Sequence, residues 1–449
     1  MHNSKELLEN DSYGKLILHL CVPSMVIMVV MVVYNMADTF FIGQTGSPEK
    51  IAAVSICAPL FSILSGLGTL LGNGGCTSIS LALGKREGEK IKAVTSFCCA
   101  GALLLGIAFL AVVFPLAPFL SKVLGANAET MPDAVNYLKI IAVGAPLILF
   151  NNIFSNIIRA DGAAAQSMLS NLLGTVTNII LDAIFILVFH WDVPGAAFAT
   201  VLGNLVSCLY LICYMARRQP MFSLRPGRFS FTSGTMIPVL TLGLPMACST
   251  LLMSISHIFS NNLMVQYGNT AIAAQGVAGK IGMLITMLAM GICMGFQPAI
   301  SYNYAQKNWI RLRKIIWDTG VFVVTIGMAL AVVCFLFRKP LIESFINNAQ
   351  VVEYAQIMVL ASLLTGPFYG LYQLCQVFLQ STGKASYATL VSSLDKGIIF
   401  LPTLFLFNHC FGMYGIAFTG CATLVVSLTV ATILSLAWKR EIHMTVAKQ

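Results

Sequence analysis

The sequence predicts an all-α polytopic membrane protein: twelve transmembrane helices in two six-helix lobes, related by a pseudo-two-fold axis along the membrane normal. Three observations predict it. First, 57% of the 449 residues are hydrophobic and only 10% are charged, where a soluble chain carries roughly 25% charged residues. Mean hydropathy is +0.84, and so few charges cannot clothe a water-soluble fold of this length. Second, the apolar residues come in long unbroken runs. A spanning helix needs about 20 of them, whereas a barrel would show short alternating strands. Third, Lys and Arg concentrate in alternate breaks and at the ends: Lys5, Lys85, Arg86, Arg218, Arg225, Arg228, Lys307, Arg311, Lys384, Lys439, Arg440 and Lys448. The intervening breaks hold few, Lys50, Lys122, Arg338 and Lys339. This is the positive-inside pattern, so both termini are expected in the cytoplasm of a multi-pass protein of the cell membrane. The net charge of +9 is then a topology signal. A soluble enzyme, a disordered tail and a nucleic-acid binder all fit poorly.

Taken in order, the spans are expected at 15–42, 51–82, 93–119, 136–158, 167–190, 195–216, 235–266, 272–305, 317–337, 354–380, 386–408 and 413–437. The polar N-terminus has no short apolar region with a cleavage site after it, so the first run reads as a helix and not a signal peptide. The longest polar break, rich in Arg, Pro and Ser, lies at mid-chain. It predicts an N-terminal lobe at 1–220, a cytoplasmic linker at 221–234 and a C-terminal lobe at 235–449.

The halves repeat. Pro23 and Pro245 are 222 apart, Pro146 and Pro367 are 221 apart, as are Gly162 and Gly383, and Gly195 and Gly415 are 220 apart. Six spans per half is an even number, so both halves insert in the same orientation, as in transporters that rock two bundles about a central cavity.

The 13 cysteines lie scattered in apolar runs without C-x-x-C or metal-ligand spacing, and read as small buried hydrophobes. Gly72-Asn-Gly-Gly75 lacks the Lys-Ser/Thr of a phosphate loop and lies within a span, where small residues let helices approach closely. There is no Walker motif, H-E-x-x-H or G-x-S-x-G. No catalytic site, no cofactor and no ATP are therefore expected, and the protein is expected to work as a monomer.

An ionised side chain costs at least a few kcal/mol in hydrocarbon, so each intramembrane charge needs a reason. The candidates are Asp38, Asp182, Lys280, Asp395 and Lys396. Arg159 and Asp161 fall at a cytoplasmic helix end, where snorkelling is cheap, and are read as a turn-fixing pair before Gly162. Asp38 lies late in span one, fifteen residues after Pro23, or about 22 Å along the helix. Asp182 lies in the outer half of span five. Asn178 precedes it by four, so amide and carboxylate share a helix face. Thr200, early in span six, returns to the same depth. Two carboxylates, an amide and a hydroxyl make an all-oxygen set that could hold Na⁺; an enclosed pair of carboxylates could equally bind and release H⁺. A hydrogen-bond network that only stabilises the fold is the third reading. Lys280 and Asp395 are expected to pair as a structural ion pair of the C lobe, and His257 to be a satisfied core histidine.

Asp38-Thr-Phe-Phe-Ile-Gly43, Arg159-Ala-Asp-Gly162, Asn178-Ile-Ile-Leu-Asp182, Gly195-Ala-Ala-Phe-Ala-Thr200, Gly295-Phe-Gln-Pro298 and Tyr302-Asn-Tyr304 resemble the multidrug and toxic compound extrusion (MATE) family, over nearly the whole chain and in the family's order. The resemblance implies two lobes, V-shaped about a central cavity, that export cationic amphipathic drugs or toxins in exchange for H⁺ or Na⁺. It also implies that Asp38, Asn178, Asp182 and Thr200 form the cation-coupling site, including any Na⁺ site, and that Pro23 is the kink of helix one. Some branches place a coupling acid in helix seven. Span 235–266 has none, Met253 standing about where it is expected, and Lys384 replaces a carboxylate expected after helix ten. That departure assigns coupling to the N lobe. Related two-lobed folds flip lipid-linked saccharides, with several cations in the cavity for pyrophosphate. Here the membrane-embedded cations are Lys280 and Lys396, with Lys139 at a span edge, which ranks a flippase second to a drug exporter.

Overall fold

The structure is a computed structural model. It describes residues 13–43, 48–217, 233–345 and 348–447, without the side chains of 35–40, 48, 51, 233, 269 and 439–447. The side chains of Asp38, Lys439 and Arg440, most of the linker at 221–234, and Lys5, Arg218, Arg225, Arg228 and Lys448 lie outside the described residues.

Helix follows helix. α1 is Val22–Gly43, entered through a short turn at Tyr13–Leu16 and a π-turn at Ile17–Cys21. Then come α2 (Pro48–Gly84), α3 (Gly88–Val123), α4 (Met131–Ile157), α5 (Ala164–Asp182) and α6 (Asp192–Arg217). The second half holds α7 (Ser233–Val265), α8 (Asn269–Ala305), α9 (Trp309–Leu336), α10 (Ala349–Ser381), α11 (Ala385–Ser393) and α12 (Phe400–Ala447). Eleven stretches among the described residues are long and apolar enough to cross a membrane. The last of them, Ala385–Trp438, is 54 residues long and holds two crossings. It turns at Gly412, whose φ of 60° and ψ of −140° leave the helix inside α12, so the spans expected at 386–408 and 413–437 meet at one glycine. Large apolar side chains stand on the outer faces, Trp317 at 72% exposure and Leu336 at 68% among them, as a lipid surround allows and water does not.

The chain divides into two compact units, one holding Lys15–Ala247 and the other Cys248–Gln449, parting inside α7 two residues after Pro245. Within the first unit, α4 packs against α2, α3 and α6; within the second, α10 packs against α8, α9 and α12. The repeat extends to this packing. A Cβ on Gly106 of α3 would lie 2.5 Å from Pro146 Cα of α4, and one on Gly327 of α9 would lie 2.9 Å from Pro367 Cα of α10. Both pairs are 221 residues apart. A small residue facing each proline lets the neighbouring helix close on the central one, the close packing membranes favour.

Eleven of the thirteen cysteines are buried or half-buried and all are free. Gly74 is where the second-span glycines most need their small size, since a Cβ there would collide with the backbone oxygen of Val239. Arg159 and Asp161 depart from expectation. They occupy a single 3-10 turn, Ile158–Asp161, closed by Gly162 at φ 78°, but both are buried, at 4% and 5% exposure. Arg159 does not snorkel; it donates to Asn156 Oδ1, because the tight turn aims it back along α4.

Candidate functional site

The acidic site in the first unit is built where α5 hands over to α6. Asp182 closes the regular part of α5 and is fully buried, and residues Ala183–Val188 continue as a π-turn. Such a turn widens the helix locally and recurs at functional sites. The chain then reverses sharply: His190 at φ 52° and Asp192 at φ 50° adopt the left-handed conformation that non-glycine residues rarely accept. Trp191 holds this reversal, its N–H donating to Phe185 O at 2.8 Å and its ring stacking on Phe185 at 5.0 Å. Lys50 of α2 braces the start of α6 through an ion pair with Asp192 at 2.7 Å. The reversal sends α6 back along α5, and Thr200 returns to the level of Asp182.

Close backbone approach sets that level. A Cβ on Gly203 would lie 2.7 Å from Gly174 O and 3.0 Å from Asn178 Cβ, so α5 and α6 touch through glycine one turn from the polar residues. Asn178, 3% exposed, takes its orientation from its neighbours: its NH₂ donates to Asp182 Oδ2 at 3.1 Å, and its carbonyl accepts the Thr200 N–H at 3.0 Å. The amide thereby links a buried carboxylate on one helix to the backbone of the next, satisfying groups that would be costly in hydrocarbon. Thr200, 4% exposed, presents Oγ1 to the same space.

α1 completes the wall. Its Tyr34 hydroxyl lies 3.3 Å from Thr200 Oγ1. Ile42, at the outer end of α1, packs with Ile186 and Ala196 in a small buried cluster. Ile42 lies four residues beyond position 38 and Ile186 four beyond Asp182, so the two helices run side by side at this depth. Asn178, Asp182 and Thr200 are thus brought together as expected. Tyr34 is the member that sequence reasoning missed. Its signal was present, because Tyr34 stands four residues before Asp38, the spacing that joined Asn178 to Asp182. Pro23 is buried and stands two residues after the π-turn Ile17–Cys21, where Ser24 Oγ donates to Leu20 O at 2.7 Å. The irregular stretch of the first helix lies just before the proline.

The charges of the second unit pair differently from expectation. Lys280 is exposed and sits over the Phe345 ring at 5.6 Å. Asp395 is paired with Lys396 at 2.7 Å. The expectation assumed a regular helix, on which neighbours diverge; residues Leu394–Ile398 form a π-turn instead. His257 is no core residue either. Ser256 and Ser260 form the buried face of α7, and His257, one position on, is exposed. Met253 is 40% exposed. Among the described residues no group of His, Cys, Asp and Glu is arranged to hold a metal ion.

Comparison with known proteins follows the same lines. The MatE family model matches residues 23–184 and again 245–406. The chain belongs to the MatE family. The two matches begin 222 residues apart, the spacing of Pro23 and Pro245, so each half carries its own copy of the family domain. The MatE chain is 32% identical over 411 residues, 92% of its length and 91% of the relative's, to a "Multidrug export protein MepA" of Staphylococcus saprophyticus. Its fold is similar to that of a solved outward-facing multidrug resistance MATE family transporter, with a TM-score of 0.90, 25% identity and coverage of 99% and 98% of the two chains. It is also similar to a MATE structure in complex with MaL6, with a TM-score of 0.91, 24% identity and coverage of 98% and 99%. The last likeness concerns the fold alone.

Proposed function

We propose that this protein is a secondary active multidrug efflux antiporter of the cell membrane, exporting cationic amphipathic compounds in exchange for H⁺ or Na⁺. Its work is transport and not catalysis. The observation that carries the reading is the fully buried Asp182, tied by Asn178 to Thr200, whose hydroxyl meets Tyr34, in a MatE-family chain. A carboxylate enclosed at membrane depth is a functional group by default. The 32% identity to a multidrug export protein over nearly the full length of both supports drugs as the cargo.

In this mechanism Asp38 and Asp182, with Asn178 and Thr200, take up H⁺ or Na⁺ from outside. Neutralising the carboxylates removes a charge penalty and favours a repacked first helix, bending near Pro23. Tyr34 carries that change to Thr200, because it stands on α1 and touches α6. The altered wall of the N-terminal lobe expels the bound cation. Coupling needs only that ion and drug favour different states. The transporter alternates between inward-open and outward-open states, with both termini in the cytoplasm.

The test is ethidium efflux from proteoliposomes under an imposed pH gradient, an imposed Na⁺ gradient, or neither. Efflux that follows one of the gradients supports the reading and names the ion. Efflux equal in all three conditions refutes antiport.

A further inference from the structure

The second unit holds a buried carboxylate that the coupling mechanism does not use. Asp395 is 4% exposed and lies in the π-turn Leu394–Ile398, with Lys396 as its ion-pair partner at 2.7 Å. The Lys396 ammonium also sits 5.1 Å over the Tyr369 ring of α10. Tyr372, fully buried, lies beside Tyr369 with ring centroids 5.7 Å apart. α7 fixes the turn from the other side. Ser256 Oγ donates to Lys396 O within that turn. Gly397 admits Leu252, since a Cβ there would lie 3.1 Å from Leu252 Cδ2.

An ion pair that only held the fold together would join two elements. This one joins adjacent residues of a single turn. The Tyr372 hydroxyl, which donates to the Asp395 carboxylate, already ties the turn to α10, so the ammonium is not needed for that link, while burial of the carboxylate is costly. Its surroundings describe a different task. A carboxylate flanked by aromatic faces is what an organic cation needs, through charge pairing and cation–π attraction. Here that place is taken by the chain's own ammonium. The Lys396 side chain is 21% exposed and Tyr369 is half-buried, so the pair has an open side, and the flexible lysine stem can swing away while the carboxylate stays fixed.

We infer that Asp395 and Tyr369 form a binding site for an organic cation in the second unit, with Lys396 as a tethered competitor that the ligand displaces and that helps eject it. The ligand class rests on the export reading above. The site stands on the geometry of Asp395, Lys396 and Tyr369.

The experiment is equilibrium binding of ethidium, followed by fluorescence anisotropy, to purified full-length protein in lipid nanodiscs. The variants are Lys396→Gln, Lys396→Arg and Asp395→Asn, each checked for folding by thermal melting. Lys396→Gln removes the competitor and should bind ethidium about tenfold more tightly, near 1.4 kcal/mol. Lys396→Arg keeps a charge that grips carboxylates through a rigid fork, so it should fold and bind several-fold more weakly than wild type. Asp395→Asn should lose most binding at this site. If Lys396→Gln does not fold, the Arg variant alone decides: affinity equal to or above wild type overturns the proposal. Wild type and variants binding equally overturns it while leaving the export reading intact. No ethidium binding by any of them, with no efflux from vesicles, overturns both.

Discussion

The Tyr34 hydroxyl of α1 lies 3.3 Å from Thr200 Oγ1 of α6. Removing that hydroxyl should disturb the ion-linked movement of α1 more than the fold. Tyr34→Phe deletes one neutral hydrogen bond, worth about 1 kcal/mol. It should slow gradient-driven ethidium efflux about fivefold, with a melting temperature close to wild type in nanodiscs. Equal slowing and unfolding would place the contact among purely structural ones.

Asn178 should matter first for stability. With its amide gone, Asp182 Oδ2 and the Thr200 N–H both lose a partner inside a buried site. Asn178→Leu should therefore cost about 1–3 kcal/mol, read as a lower urea midpoint in mild detergent. Asn178→Ser, which keeps a donor and an acceptor, should recover part of it. A Leu variant as stable as wild type would show that the amide satisfies neither group.

The reversal between the eleventh and twelfth crossings depends on Gly412. Its φ of 60° and ψ of −140° belong to a region essentially restricted to glycine, where another residue costs about 1–3 kcal/mol. Gly412→Val should lower yield and thermal stability, whereas Gly420→Val, at a position whose Cβ would meet nothing within 4 Å, should be tolerated.

How much of this was legible in the sequence follows from the physics each feature uses. Run length and charge asymmetry gave the crossings, since hydrocarbon thickness and backbone satisfaction leave few alternatives. The Asn178–Asp182–Thr200 grouping was legible because i,i+4 spacing and a short return turn are local rules. Tyr34 obeyed the same spacing, yet a tyrosine in an apolar run carries no charge to draw notice. The Asp395–Lys396 pair was not legible, because a π-turn changes which side chains meet and leaves no plain mark in composition. Arg159 was misplaced for a related reason: a 3-10 turn turned inward a side chain that a regular helix end would have released. Gly412 was visible only as a gap between two spans, not as the one residue on which the chain turns.

In the proposed mechanism the enclosed carboxylate of the first unit couples ion entry to drug exit. That coupling is tested most directly by ethidium efflux from proteoliposomes holding Asp182→Asn, run beside wild type with and without an imposed H⁺ or Na⁺ gradient. The amide is nearly isosteric and cannot exchange an ion, so the variant should still bind ethidium while the gradient no longer accelerates its efflux. Gradient-driven efflux by Asp182→Asn at the wild-type rate would contradict the mechanism.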